Sequence, residues 1–353
     1  MIVDDTREGS EMLKQVGIGI IGAGRIADVM ATAYSSIGEV SLVAVADIVR
    51  RAAEGTASRF SIRNVFEDYS DLLAQPEVDA VLICAPTFLH KEIALAAAQA
   101  GKHVFCQKPL ALTVADCESI SRAAENAGVI LQAGFMLRFT PPFREVKEIL
   151  ESGEIGELIA LRSSVFGWEP SAEWFYDPEK GGGVLIDTII HTFDLFRWYG
   201  GDITTLFASG GAYVLDSARK HGTPDNIMCS LRFRSGAMGD IYGSWTSGYG
   251  DKTLEVYGTN GSVWIDLVGK QGGHVFVKNS VKGRPQTGWR NLNLVWKFGY
   301  EREARHFTNT ILGRAQPEAT GGDAIEAQRL AVLADQSIRT GELARVSRQE
   351  TNQ

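Results

Sequence analysis

"VGIGIIGAGRIADVMATAY", residues 16–34, runs from an apolar segment through a glycine turn into a helical pattern. The opening run, Val16–Ile21, is apolar or glycine throughout, as in a strand covered on both faces. Gly22, Gly24 and Ala27 then give G-x-G-x-x-A. That spacing is informative because it follows a strand and opens a helix. Gly22 permits the tight turn, Gly24 lets a pyrophosphate approach the backbone, and Ala27 lets helix and strand pack closely. The first helical residues, Arg25 and Ile26, carry free N–H groups that face phosphate charge. A dinucleotide held by Gly22, Gly24, Arg25 and Ile26 is the expectation.

Outward from this turn, residues 16–135 alternate two periods. "VSLVAVAD", "VDAVLICAP", "HVFCQKP" and "VILQAGF" are short β-rich runs, and 89–100 and 113–127 are helical patterns between them. Alternating strand and helix predicts parallel βαβ units, hence an α/β Rossmann domain with a doubly wound parallel sheet over 16–135. The second strand ends at Asp47, 25 residues after Gly22, where an acid binds the ribose hydroxyls. A carboxylate there repels a 2′-phosphate, which favours NAD. Arg50 and Arg51 just downstream keep NADP open.

Beyond residue 136 the pattern changes. A helix and a strand lead into the helix "LIDTIIHTFDLFRW", and strands then follow one another at 204–214, 225–235, 237–247, 252–258 and 262–268. Asn260-Gly261 is a hairpin signal. Helical segments at 299–312 and 323–339 close the chain. Residues 136–345 are therefore expected to form an α+β domain with a large, mostly antiparallel open sheet, for substrate binding and oligomerisation. Residues 1–15, polar and acidic, read as a mobile N-terminal extension unlike a signal peptide.

The 353 residues exceed one domain, and the net charge of −8 is spread along the chain with no basic stripe, which argues against nucleic acid. No apolar run reaches about 18 residues, so no membrane partner is expected. Cys84, Cys106, Cys117 and Cys229 are far apart, without zinc or disulfide spacing, which suits the cytoplasm.

In "DTIIH", Asp187 and His191 stand four apart and share one face of a regular helix. Such a pair fits a packed core pair, two metal ligands or half of a catalytic site. A metal needs a third ligand, for which the sequence offers no candidate, so no metal is expected. Lys108, at the end of the fifth strand, lies where ligands bind in parallel sheets.

Together these pieces resemble the Gfo/Idh/MocA family of NAD(P)-dependent oxidoreductases, nearest in motif to its inositol 2-dehydrogenase branch. "GIIGAGRIA", "LICAPTFLHKEIALAAAQAGKHVFCQKPLALT", "GFMLRF", "GGGVLIDTIIHTFDLFRW" and "GTNGSVWID" carry the resemblance, in the family's order. It implies that Lys108, Asp187 and His191 are the reacting set. His191 takes a hydroxyl proton, Asp187 steadies the imidazole, and Lys108 contacts nicotinamide ribose and substrate. It implies that Pro86 and His90 lie beside the nicotinamide, with Thr87 in place of the usual Asn, and that the Lys108–Pro109 bond is cis. Gln107 stands where the family has Glu, which changes the charge beside Lys108. The implied substrate is a cyclic polyol or pyranose sugar, held by Lys108, Arg138, Asp187, His191 and Trp168, with Trp174 and Tyr176 in the same aromatic stretch. Tyr249 is offset by one residue from a family tyrosine and inherits no role. The implied assembly is a homodimer or homotetramer. An NAD-dependent glycoside hydrolase and a non-catalytic dinucleotide sensor use the same fold.

Overall fold

The computed structural model describes residues 15–247, 252–266, 272–281, 284–292 and 299–346. The N-terminal extension, Gln15 apart, and Tyr249 lie outside them.

The first sheet is six-stranded and wholly parallel, in the order β3-β2-β1-β4-β5-β6. Its strands are β1 (Val16–Ile21), β2 (Val40–Ala46), β3 (Asn64–Phe66), β4 (Ala80–Ile83), β5 (His103–Gln107) and β6 (Leu131–Gly134). Helices α1 (Arg25–Ser35), α2 (Arg50–Phe60), α3 (Tyr69–Leu73), α4 (His90–Gln99) and α5 (Val114–Ala127) connect them. β1 and β4 are buried at every residue, because helices cover both faces. Two helices start at side-chain caps: Asp68 accepts from Ser70 N, and Thr113 from Asp116 N. Strand order reverses between β1 and β4, which opens a crevice at their carboxyl ends.

The second sheet has nine strands, in the order β14-β13-β12-β11-β7-β10-β9-β8-β15. They are β7 (Leu158–Phe166), β8 (Ile203–Gly211), β9 (Asn226–Phe233), β10 (Met238–Ser244), β11 (Lys252–Gly258), β12 (Gly261–Asp266), β13 (Gly272–Val281), β14 (Arg284–Leu292) and β15 (Ala344–Arg345). All pairings are antiparallel except β7 with β10. The Asn260-Gly261 signal marks the β11–β12 hairpin, where Gly258 pairs with Gly261. Strand β9 shows why one face is a core: Ile227, Cys229, Leu231 and Phe233 are buried, whereas Met228, Ser230 and Arg232 are exposed. The buried face packs beneath α7 (Ile190–Gly200). On the opposite face Phe207, Met228, Met238, Tyr257 and Trp264 remain exposed.

Helix α6 (Pro141–Glu151) begins with proline at its first turn, where no N–H partner is required. The short α8 (Asp216–His221) follows β8. The closing helices, α9 (Tyr300–Ile311) and α10 (Gly321–Thr340), reach back to the first sheet. Phe307 of α9 meets the Phe105 ring edge-on at 5.7 Å. Ala319, just before α10, accepts from Ala133 N at 2.8 Å, and Gln328 donates to the Leu112 carbonyl at 2.6 Å. On its other side α10 serves the second sheet, where Ser337 Oγ accepts from Ala208 N at 3.0 Å.

Candidate active site

The glycine turn sits at the crevice. Gly22 has φ +91°, and a Cβ there would lie 2.7 Å from Ala85 N, so neither the backbone nor the space admits a side chain. At Gly24 a Cβ would meet nothing within 4 Å, which leaves the backbone open to a pyrophosphate. Gly24 is the N-cap of α1 and supplies no capping side chain, so the first N–H groups face outward. Arg25 is exposed and Ile26 is half-buried against the core between β1 and α1. Asp47 stands beside this turn: Oδ2 accepts from Ala23 N at 2.7 Å and Oδ1 from Val49 N at 2.8 Å. These features fit the dinucleotide that the sequence implies. Arg50, one of the two candidates for a 2′-phosphate, is paired with Glu54 at 2.9 Å and Glu67 at 3.4 Å.

Pro86 precedes a single 3₁₀ turn, Thr87–Leu89, after β4. His90 departs from the expected direct contact with the cofactor. It is 1% exposed, with Nδ1 2.8 Å from the Pro109 carbonyl and Nε2 2.9 Å from the Ala85 carbonyl. The single N–H of the neutral ring donates to one of these two carbonyls, and the ring sits between the loop after β4 and the loop after β5, where it holds the wall of the crevice.

The Lys108–Pro109 peptide is cis, as the resemblance implied. Lys108 Nζ donates to Asp187 Oδ1 at 2.8 Å and to the Asp187 carbonyl at 2.5 Å. The segment bearing Asp187 is not regular α-helix: Leu185–Ile189 form a π-helical turn that runs into α7. Such widened turns are frequent at functional sites. This one presents the carbonyl and the carboxylate of a single residue to one ammonium group. Asp187 Oδ2 accepts from Thr188 Oγ1 at 3.0 Å. The expected support of the imidazole by Asp187 is therefore corrected: the carboxylate is engaged by Lys108 and Thr188, not by His191.

His191 is 9% exposed, its Nδ1 has no hydrogen-bond partner, and its ring lies edge-on to Phe135 at 6.0 Å. Burial lowers its pKa well below the ordinary histidine value, reinforced by Lys108 and then Lys252. Burial likewise lowers His90, partly offset by the carbonyls around it. Both imidazoles are thus neutral near pH 7. Unfolding restores a pKa of about 6.5, so the unfolded chain binds more protons below that pH. The stability contributed by the two neutral rings is complete above about pH 6.5 and is lost as the pH falls toward their lower folded values. Thermal melts from about pH 7 down to about pH 5 should show a falling midpoint, with a shallower fall in His191→Asn. A slope unchanged by that substitution would contradict the burial argument.

Arg138 also departs from expectation. It was expected to hold substrate hydroxyls, yet it is 4% exposed and forked onto Asp194, with Nε–Oδ2 at 2.9 Å and Nη2–Oδ1 at 2.5 Å. Asp323 adds a contact at 3.0 Å. A guanidinium so occupied joins α7 to α10 and has no share in the cleft. Trp168 is 70% exposed. Its neighbour Trp174 stacks on Phe175 at 3.8 Å and meets Phe88, in the turn after β4, edge-on at 6.3 Å. Tyr176 is buried against Trp245. Gln107 sits beside Gly134, and its Nε2 has no partner. Sequence reasoning passed over Thr188, although it adjoins Asp187, and Phe135, although it lies in a quoted motif. Among the described residues no three His, Cys, Asp or Glu side chains cluster as metal ligands, and no helix is long and apolar enough to cross a membrane.

Residues 16–135 match the profile described as the oxidoreductase family with NAD-binding Rossmann fold, and residues 143–264 match the GFO/IDH/MocA C-terminal domain. The chain belongs to the GFO/IDH/MocA family. It is an NAD-dependent oxidoreductase. Like other members, it is similar along nearly its whole length to curated relatives. It is 32% identical to myo-inositol 2-dehydrogenase of Thermotoga maritima, over 91% of this chain and 96% of that one. It is 32% identical to scyllo-inositol 2-dehydrogenase (NAD(+)) of Bacillus subtilis, over 94% and 96%. A solved probable dehydrogenase from Thermotoga maritima superposes with a TM-score of 0.82 at 31% identity, over 94% of this chain and 98% of that one.

Proposed function

We propose that this protein oxidises a secondary hydroxyl of a cyclic polyol or pyranose sugar, by hydride transfer to nicotinamide, in the cytoplasm. The observation that carries the reading is the meeting of Lys108 with Asp187, beside a neutral buried His191, at the carboxyl end of the nucleotide-binding sheet. When bound, NAD supplies the two-electron acceptor. His191, held neutral by burial, takes the hydroxyl proton as the carbon–hydrogen bond gives up its electron pair. Lys108 donates a hydrogen bond to the same oxygen and stabilises the charge that develops there. Asp187 aims the ammonium group. Phe135 and the surrounding core keep water from His191. Relatives named for inositols support a ring polyol. We assign Gly22, Gly24, Arg25, Ile26, Asp47 and Pro86 to the cofactor, and Trp168 to the rim of the substrate pocket. The exposed row Phe207, Met228, Met238, Tyr257 and Trp264 on the second sheet supports self-association through that face, as a homodimer or homotetramer.

The test is NADH formation with a panel of inositols, aldoses and sugar acids, run with NAD and with NADP. Reduction of NAD by a cyclic polyol is expected. NAD binding without reduction across the panel would favour the sensor. Sugar conversion without net NADH would favour the hydrolase. Asp47→Asn should raise the KM for NAD about tenfold, the loss of one hydrogen bond to a charged group, with kcat nearly unchanged. An unaltered KM would remove Asp47 from the ribose site.

A further inference from the structure

A line of side chains runs behind the Lys108–Asp187 pair, and the reaction proposed above does not use it. Trp245, one residue past β10, donates its indole Nε1–H to Thr188 Oγ1 at 2.7 Å. Thr188 Oγ1 donates to Asp187 Oδ2 at 3.0 Å. Asp187 Oδ1 accepts from Lys108 Nζ at 2.8 Å. The direction of this line is forced at both ends. An indole nitrogen only donates, an ionised carboxylate only accepts, and a hydroxyl has one proton to give. With the indole on its lone pair, the Thr188 hydroxyl is free to give that proton to Asp187.

The line is also rigid. Trp245 is 2% exposed, and the edge of Tyr176 meets it at 5.3 Å. On another side lies Gly167, where a Cβ would come within 2.9 Å of Trp245 Cδ1 and 3.6 Å of Thr188 Cγ2. Two distant strand ends and the widened turn thus converge on one hydroxyl group. A carboxylate left to itself rotates about its terminal bond; here Oδ2 is pinned, so Oδ1 faces the ammonium.

We propose that Thr188 and Trp245 are positioning residues that fix the rotation of the Asp187 carboxylate and so aim Lys108 at the substrate oxygen. An ammonium group has three protons. Two are taken by the carbonyl and Oδ1 of Asp187, which leaves one, and its direction is set only while Asp187 cannot turn. This rests on the dehydrogenase reading, so the test carries a readout that needs no turnover.

Thr188→Val keeps the shape and removes the hydroxyl. It should lower kcat about 10–100-fold, the effect of one charge-assisted hydrogen bond felt in the transition state, with the KM for NAD within about twofold. Thr188→Ser should recover activity to within about threefold, since it restores the hydroxyl. Trp245→Phe in the Thr188→Val background should add little, because both act through one bond. The indole N–H of Trp245, followed by ¹H–¹⁵N spectroscopy of the full chain, should shift in Thr188→Val and in Asp187→Asn, and stay in place in Thr188→Ser. Wild-type kcat in Thr188→Val, failure of Thr188→Ser to recover, or multiplying losses in the double variant would overturn the proposal. So would an indole signal indifferent to Asp187→Asn. Absence of turnover in the wild type, with the indole responding as stated, would instead remove the dehydrogenase reading and leave the positioning line standing.

Discussion

Lys108→Ala should lose about 10²–10⁴-fold in kcat while NAD still binds, the range that proton management and charge stabilisation at a reacting oxygen supply. The two ends of the cofactor site are held by different parts of the chain. In the reading proposed above, Gly22 and Asp47, just past β1 and β2, and Gly24, the N-cap of α1, hold the pyrophosphate and ribose, and Lys108 follows the end of β5. Removing the ammonium therefore leaves the nucleotide anchor intact and takes away only the contact with the nicotinamide ribose, so titration by protein fluorescence should give an NAD affinity within about tenfold of wild type, the loss of one hydrogen bond. Lys108→Arg should not recover activity. A planar guanidinium cannot put one proton on the Asp187 carbonyl, one on its carboxylate and a third into the cleft as an ammonium can. Turnover close to wild type in Lys108→Ala would remove this residue from the chemistry.

The second large effect lies outside the reaction. Arg138→Ala should cost about 3–5 kcal/mol of stability, because it leaves the Asp194 carboxylate buried without its partner. Burial already pushes Asp194 upward against the pull of Arg138, so the unpaired acid would take up a proton or unfold its surroundings. Urea denaturation should register the loss, and Arg138→Lys, which keeps the charge without the fork, should fall between the two. If Arg138→Ala kept its denaturation midpoint and raised only the KM for substrate, the guanidinium would be a substrate contact after all.

That residue also marks where sequence reading stops. The first domain was legible because its signals are local: apolar runs, a glycine turn, and an acid at the end of β2 all lie within one βαβ unit. The second sheet was legible as successive strands, and β9 shows the alternation that made it so. Strands β13 and β14 were not foreseen; "GGHVFVKNSV" and "RPQTGWRNL" carry glycine, proline and charge that weaken a strand pattern. The β7–β10 pairing is parallel and joins distant segments, which no local signal declares. Lys108, Asp187 and His191 were legible as a set, yet their pairing was not. A four-residue spacing suggests that Asp187 serves His191, whereas the widened turn and a lysine 79 residues earlier claim the carboxylate instead. Arg138 looked like a site residue for the same reason: its partners, Asp194 and Asp323, are remote in sequence. Trp245 reaches Thr188 across 57 residues, and only the folded chain reveals it.

The return of α9 and α10 to the first sheet sets an order of events on the ribosome. The nucleotide-binding strands are made well before the closing helices, yet Phe105 awaits Phe307, the Ala133 amide awaits Ala319, and the Leu112 carbonyl awaits Gln328. The segment synthesised earlier is thus completed by one synthesised well after it, and a nascent chain halted before the closing helices would display an unfinished apolar flank to the cell.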